Sequence, residues 1–343
     1  SLRILALVLK MLASAMKAIR NEIQFRWFMA VAIILLGFIA YANTFAGEFV
    51  WDDASSILLH KPVQQPSKIG QLFLEDQHAF GRGQGNFYRP LLSVSFMADY
   101  AWAFGGRTEN SAPQPAVFPF HLTNTVLHVG AALWLLALLC RLGAPRFVCA
   151  AAPLLWVVHP LHTGAVAYIS GRGDPMAAFF VFAALWFALW EGRPRRRISG
   201  VALCGLFFLA AILSKESALI LPFLYIPLLL GAPGQSGARP GRRIWVFRLP
   251  ALGVMAAILA IYAVLRTTVL HFGSDSVAPS ADFGTRLIET GQALALYLKL
   301  MVAPTGLHME RTLEGVPLWV GFVGLASAAA IMAVCVLALR RGH

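Results

Sequence analysis

"RWFMAVAIILLGFIAYANTFAGEFVWDDASSILLH", residues 26–60, is an apolar run that ends on two adjacent carboxylates, Asp52 and Asp53. From about residue 27 to 46 it is long enough to cross a hydrocarbon layer of roughly 30 Å as a helix. Similar runs recur at about 118–140, 147–159, 175–190, 198–213, 217–230, 249–267 and 316–339. The chain has 343 residues, of which 58% are hydrophobic and only 13% charged, with a mean hydropathy of +0.68. A soluble domain carries about 25% charged residues, so the soluble classes are set aside. The expectation is an all-α polytopic membrane protein of about eight transmembrane helices.

The net charge of +12 suggests nucleic acid only until its placement is read. With the N-terminus cytoplasmic, the cytoplasmic segments gather 17 Lys and Arg against two acids, Glu22 and Glu191, leaving 11 basic and 14 acidic residues outside. That asymmetry is the positive-inside signal, so the predicted partner is membrane lipid, with no nucleic acid. Residues 1–26 read as a cytoplasmic amphipathic segment and 27–343 as the transmembrane domain. Within it, 47–117 is a long outer loop. Residues 268–315 form an outer interfacial or re-entrant segment, because Arg286, Glu289 and Lys299 interrupt its apolar stretch. Cys140, Cys149, Cys204 and Cys335 form no CxxC pair and read as packing residues. There is no internal repeat of 20 to 50 residues.

The chemistry-bearing residues gather on the outer side. Asp52 and Asp53 open the longest loop, where a carboxylate faces water, takes a proton from a hydroxyl or binds a divalent cation. The Gly-rich "GRGQG" at 81–85 lacks the Lys-Ser/Thr and helix start of a phosphate loop and reads as a turn. His121, Asn124 and His128 share one helical face at i, i+3, i+7; they form either an interhelical hydrogen-bond network or a substrate-facing stripe. "HPLHTGAVAYISGRGDP" packs His159, His162, Tyr168, Arg172 and Asp174 into one corner between two runs. The two histidines have zinc-ligand spacing but no clear third ligand, so substrate contact or a cap network is the better reading. Lys215 and Glu216 in "LSKESALILP" are ionisable groups at the membrane edge, either a helix-end pair or functional residues. Carboxylates, imidazoles and cations on one side suit an enzyme acting on a lipid-linked anionic substrate, whose leaving phosphate the cations stabilise. A transporter or flippase of lipid-linked sugars is the alternative, although paired inverted halves are not evident.

The ordered series "FVWDD", "YRPL", "HLTNTVLH", "HPLHTGAVAYISGRGD", "LSKESALILP" and "YLKLMVAPTGL" resembles the membrane half of the transmembrane and tetratricopeptide-repeat O-mannosyltransferases, over roughly residues 28–310 and without the repeats. The likeness departs at Gly164, where the family pattern has an acidic residue, and at Gly173, where it has alanine. The resemblance implies a GT-C type bundle with outer-face interfacial helices and a periplasmic or lumenal active site. It implies an inverting glycosyltransferase that moves a sugar, mannose in the pattern of the family, from a polyprenyl-phosphate donor to a hydroxyl-bearing acceptor, protein or glycan. By the same likeness Asp52 or Asp53 is the catalytic base, Asp52 first. Arg89, Arg172 and Lys215 are the donor-phosphate residues, and His121, Asn124, His159, His162, Asp174 and Glu216 line the sugar and acceptor site. The Ala, Gly and Arg-rich composition favours a bacterial inner membrane, with both termini cytoplasmic.

Overall fold

The computed structural model describes residues 21–75, 87–105, 116–190, 194–231, 242–269, 282–308 and 312–341. Most of the expected amphipathic segment, residues 1–20, and the turn expected at 81–85 lie outside them. Among the described residues there is no strand, and ten helices exceed ten residues. They are α1 (Glu22–Tyr41), α2 (Pro90–Phe104), α3 (Phe118–Arg141), α4 (Arg146–Val158), α5 (Gly173–Ala188), α6 (Pro194–Ile212), α7 (Leu221–Gly231), α8 (Arg242–Val264), α9 (Phe283–Val302) and α10 (Leu318–Arg341). The chain is a multi-pass helical membrane protein.

Among the described residues, four segments are long and apolar enough to cross a membrane: Glu22–Ala46, Phe118–Arg141, Arg248–Thr267 and Leu318–Cys335. A fifth arises if Arg146–Val158 and Pro160–Val166, bent by 44°, count as one broken span. The expected eight are therefore not all reached by length and composition. Helix α5 has only 16 residues, about 24 Å at 1.5 Å per residue, and α6 starts with Arg195, Arg196 and Arg197. Runs counted as spans in the sequence are helical here, but several fall short of the roughly 20 apolar residues that a crossing needs.

Periodicity explains how the bundle closes. Helix α1 starts on Asn21, whose side chain accepts from the Ile23 N–H at 2.9 Å, and buries Phe25, Met29, Ile33, Gly37 and Tyr41, one residue per turn. A Cβ on Gly37 would lie 2.4 Å from Cγ2 of Val129 and 2.9 Å from Cγ2 of Val157, so α1 meets α3 and α4 there. These three helices share the core of Phe25, Met29, Ile33, Val129, Leu136, Leu154 and Val157. A second core joins α5, α6, α7 and α8 through Val181, Leu185, Phe208, Ile212, Tyr225 and Met255.

The third core lies in the long loop. Ile57, Val63 and Leu72 pack with Leu92, Phe96 and Phe104 of α2, and with Phe120, Ile169 and Met176. The described parts of segment 47–117 are thus folded onto α3 and α5. Helix α2 ends on Gly105 at φ 51°, a left-handed C-cap that glycine adopts readily. The start of α2 is fixed to the end of α6 by the Leu91 N–H on the Leu213 carbonyl at 3.1 Å. This loop positions the candidate site.

Candidate functional site

The aspartate pair sits on a strained turn. Trp51 has φ 50°, a left-handed conformation that is a genuine outlier for a bulky residue. Hydrogen bonds hold the turn on both sides: Asp53 N–H donates to the Val50 carbonyl at 3.0 Å, and Val50 N–H donates to Asp53 Oδ2 at 3.0 Å. The other oxygen, Oδ1, accepts from the Ser170 N–H at 2.8 Å and from the Ser170 hydroxyl at 2.5 Å. Asp53 is fully buried, and that burial holds its carboxyl above the ordinary carboxylate value despite the three donors. Asp52 is half-buried. Its backbone N–H donates to the Tyr168 hydroxyl at 3.2 Å. The Tyr168 phenol is raised by burial first, and by the Asp52 carboxylate second. The two aspartates therefore differ: Asp53 is a buried tie, and Asp52 is partly exposed beside the Tyr168 hydroxyl.

Both aspartates are held by one corner, residues 159–174. The bend begins at His159, whose ψ of 127° is the extended conformation a residue takes before proline. His159 Nδ1 accepts from the Leu161 N–H at 3.2 Å, so its proton lies on Nε2, which donates to the Met301 carbonyl at 3.1 Å at the end of α9. Asn124 on α3 fixes the middle of the corner, its amide nitrogen reaching the carbonyls of Val166 at 3.2 Å, Tyr168 at 3.0 Å and Ile169 at 3.3 Å. Those contacts place Tyr168 beside Asp52 and Ser170 beneath Asp53.

Arg172 locks the corner from inside. It is fully buried. Nε donates to Asn124 Oδ1 at 2.6 Å, one terminal nitrogen to Ser95 Oγ at 3.0 Å, and the other to the Phe120 carbonyl at 2.9 Å. That last nitrogen also lies 2.5 Å from Asp99 Oδ2, while Asp99 Oδ1 accepts from Thr123 Oγ1 at 2.8 Å. Phe96 lies under the guanidinium, with Cζ 4.6 Å from the ring centroid. The expected contact of Arg172 with a donor phosphate is not how this side chain is placed. Asp99 draws it inward. Asn124, with no exposed surface, likewise belongs to the interhelical network rather than to an open stripe.

The remaining cations and carboxylates pair at the edge of this corner. Arg89 Nε and a terminal nitrogen reach Glu216 Oε2 at 2.8 and 2.7 Å, and Glu216 Oε1 accepts from the Tyr88 N–H at 3.2 Å. Lys215 Nζ lies 2.6 Å from Asp174 Oδ1, with side chains 27% and 50% exposed. Lys215 adopts an extended backbone (φ −161°, ψ 138°) at the break before Glu216–Ile220. A Cβ on Gly173 would lie 3.4 Å from Lys215 Cδ, so the corner and the Lys215 break touch directly. Lys215 is the more exposed of these cations.

The histidines separate by role. His128 Nε2 lies 3.2 Å from the Val157 carbonyl, and its ring is 5.1 Å from His162, which packs 4.4 Å from Trp156. His121 is buried, with neither ring nitrogen hydrogen-bonded, and its Nε2 would lie 3.2 Å from a Cβ on Gly47. No group of three or more His, Cys, Asp or Glu side chains fit to hold a metal occurs among the described residues. Asp53 accepts two donors on Oδ1 and one on Oδ2, which leaves Asp52 the more open carboxylate of the pair. Sequence reasoning placed Tyr168 in the corner but missed Ser170 and Asp99 as site-building residues. Asp99 carried one signal, an acid inside the apolar stretch "SFMADYAWAF".

Comparison with known proteins adds a family likeness. The chain is 32% identical over 188 residues to the Drosophila melanogaster protein O-mannosyl-transferase Tmtc1, covering 54% of this chain and 20% of that protein. It is 28% identical over 294 residues to Drosophila melanogaster Tmtc2, covering 82% of this chain and 30% of the relative. It is 25% identical over 324 residues to the mouse protein O-mannosyl-transferase TMTC3, covering 87% and 34%. The resemblance read from the motifs thus extends over much of the chain, which spans about a third or less of the length of these relatives. No family model matches. No solved structure matches.

Proposed function

We propose that the chain is the membrane part of an inverting glycosyltransferase that uses a polyprenyl-phosphate sugar, acts at the periplasmic face of a bacterial inner membrane and has cytoplasmic termini. Mannose is the first sugar to test, because the relatives are named O-mannosyl-transferases. The observation that carries the reading is the division of labour at the aspartate pair: Asp53 is buried and hydrogen-bonded through both oxygens, while Asp52 is half-exposed beside Tyr168.

In the proposed step an acceptor hydroxyl gives its proton to Asp52. Its oxygen attacks the anomeric carbon, and the bond from that carbon to the phosphate oxygen breaks. The bonding pair leaves with the lipid phosphate, whose charge Lys215 and Arg89 offset once the phosphate displaces their carboxylate partners Asp174 and Glu216. His159, His162 and Glu216 border the sugar. Arg172 acts from behind as a positioning residue, through Asn124 and the corner that carries Tyr168 and Ser170.

The test is release of polyprenyl phosphate by the purified protein in phospholipid, given polyprenyl-phosphate mannose and a hydroxyl-bearing acceptor. Asp52→Asn is expected to lose roughly 10²- to 10⁴-fold in turnover with unchanged stability. Turnover that survives Asp52→Asn overturns the assignment of the base; acceptor-independent donor movement across the bilayer would favour a transporter instead.

A further inference from the structure

Trp51 is the most strained residue of the site and is not used in any core. Its φ of 50° is one that Gly or Asn adopts with little cost and a bulky side chain does not. The neighbours enforce it from both sides, through Asp53 on Val50, the Ala54 N–H on the Trp51 carbonyl at 3.3 Å and the Asp52 N–H on Tyr168. Such strain persists only where the surroundings over-determine it, and it clusters at functional sites. Yet the side chain is 66% exposed. Its only ring contact among the described residues is edge-on to Tyr168, with centroids 6.4 Å apart and planes at 73°. That arrangement leaves most of the indole exposed, on the residue that precedes Asp52.

We propose that the exposed indole is a stacking platform for the pyranose ring of the lipid-linked donor. This inference rests on the glycosyl-transfer reading. A pyranose presents a flat patch of C–H groups made electron-poor by neighbouring oxygens, and an aromatic face carries negative charge density that attracts such an edge. Indole offers the largest such face. A platform one residue before the proposed base binds the sugar of the donor next to the group that takes the acceptor proton. Anchoring in the lipid interface, the other use of an exposed tryptophan, needs only an apolar bulk and gives no reason to keep an aromatic ring at a left-handed position.

The test measures dissociation constants by thermal stabilisation of the purified protein in phospholipid vesicles, with polyprenyl-phosphate mannose and with sugar-free polyprenyl phosphate. The quantity read is the ratio of the two. Trp51→Phe is expected to keep the wild-type preference for the sugar-bearing lipid. Trp51→Leu, which keeps an apolar side chain, and Trp51→Asn, which relieves the backbone, are expected to lose roughly three- to tenfold of it, while sugar-free lipid binds as before. Ligand-free Trp51→Asn is expected to unfold at or above the wild-type temperature. A preference undiminished in Trp51→Leu and Trp51→Asn overturns the platform alone, as does a clear drop in the thermal midpoint of ligand-free Trp51→Asn. A wild-type protein that binds neither lipid overturns the donor reading and the platform with it.

Discussion

The Asp53 carboxylate holds Ser170 twice through one oxygen, at 2.8 Å to the backbone nitrogen and 2.5 Å to the hydroxyl, across 117 residues of sequence. That bond joins the long loop to the corner between α4 and α5. Removing it in Asp53→Ala leaves the Ser170 and Val50 N–H groups without their acceptor, at a cost of about 1–3 kcal/mol for each buried group left unmade. Asp53→Asn keeps one oxygen for Ser170 but turns an NH₂ toward the Val50 N–H, and costs less than Asp53→Ala. Asp52→Asn is expected to stay within about 0.5 kcal/mol of wild type. Denaturant unfolding of the three variants in detergent checks the order; equal losses at both aspartates would refute the division of labour.

The same carboxyl predicts a pH dependence. Burial raises Asp53 above its ordinary value of 3.8, so the folded state favours the protonated form. The stabilisation from that shift is fully present below 3.8 and is lost as pH rises through the folded-state value. Relative to Asp53→Asn, which does not titrate, wild type is expected to lose stability as pH rises from about 4. Thermal midpoints of both proteins across that range supply the comparison, and a difference that grows in favour of wild type has the wrong sign for this account.

Arg172 is expected to act on stability before it acts on binding. Arg172→Ala strands Asp99 without its cation, and breaking a buried pair from one side costs about 3–5 kcal/mol. Arg172→Lys restores charge but not the planar fork that reaches Asn124, Ser95 and Phe120 together. The double variant Arg172→Met, Asp99→Leu removes both charges and is expected to unfold later than Arg172→Met alone. Equilibrium unfolding of the set decides it: a double variant no more stable than the single one would show that the pair is not the main partner of Arg172.

How much of this was legible beforehand depends on range. Helices with continuous apolar runs, such as α1 and α3, are visible because their signal is local. The corner at 159–174 announces itself through its density of polar residues. What it does with them does not, because Asp53 to Ser170, Arg172 to Asp99 and Arg89 to Glu216 are contacts over 73 to 127 positions that no spacing rule relates. Arg172 illustrates the limit: a cation in a polar motif suggests a ligand's phosphate, and only the fold shows that Asp99 on α2 claims it. The count of about eight spans is not confirmed for a different reason, since apolar runs of 13 to 16 residues are helical without being long enough to cross alone.

Lys215 and Asp174 form an exposed pair, and such pairs contribute about 0–1 kcal/mol. Asp174→Asn is therefore expected to leave the unfolding midpoint nearly unchanged. It also removes the carboxylate that competes with a phosphate for Lys215, so sugar-free polyprenyl phosphate is expected to bind several-fold tighter, with a stronger dependence on salt. Lys215→Gln should weaken the same binding. If Asp174→Asn weakens it too, the pair acts as a unit on something other than the phosphate.

The α9–α10 crossing is set by glycine. A Cβ on Gly291 would lie 2.1 Å from the Gly321 carbonyl oxygen, and one on Gly324 would lie 1.8 Å from that of Gly291. The obstacle is backbone in both cases, so no rotamer change relieves it and the helices must part. Gly291→Ala and Gly324→Ala are each expected to destabilise by roughly 1–3 kcal/mol or more. Gly37→Ala meets the methyl groups of Val129 and Val157 instead, which can shift, and should cost less. Gly253 on α8 has no atom within 4 Å of a built Cβ, so Gly253→Ala should gain about 0.5–1 kcal/mol from helix propensity alone. Unfolding of these four variants in one detergent tests the ranking, and a Gly291→Ala protein as stable as Gly253→Ala would mean that the two helices do not cross at this distance.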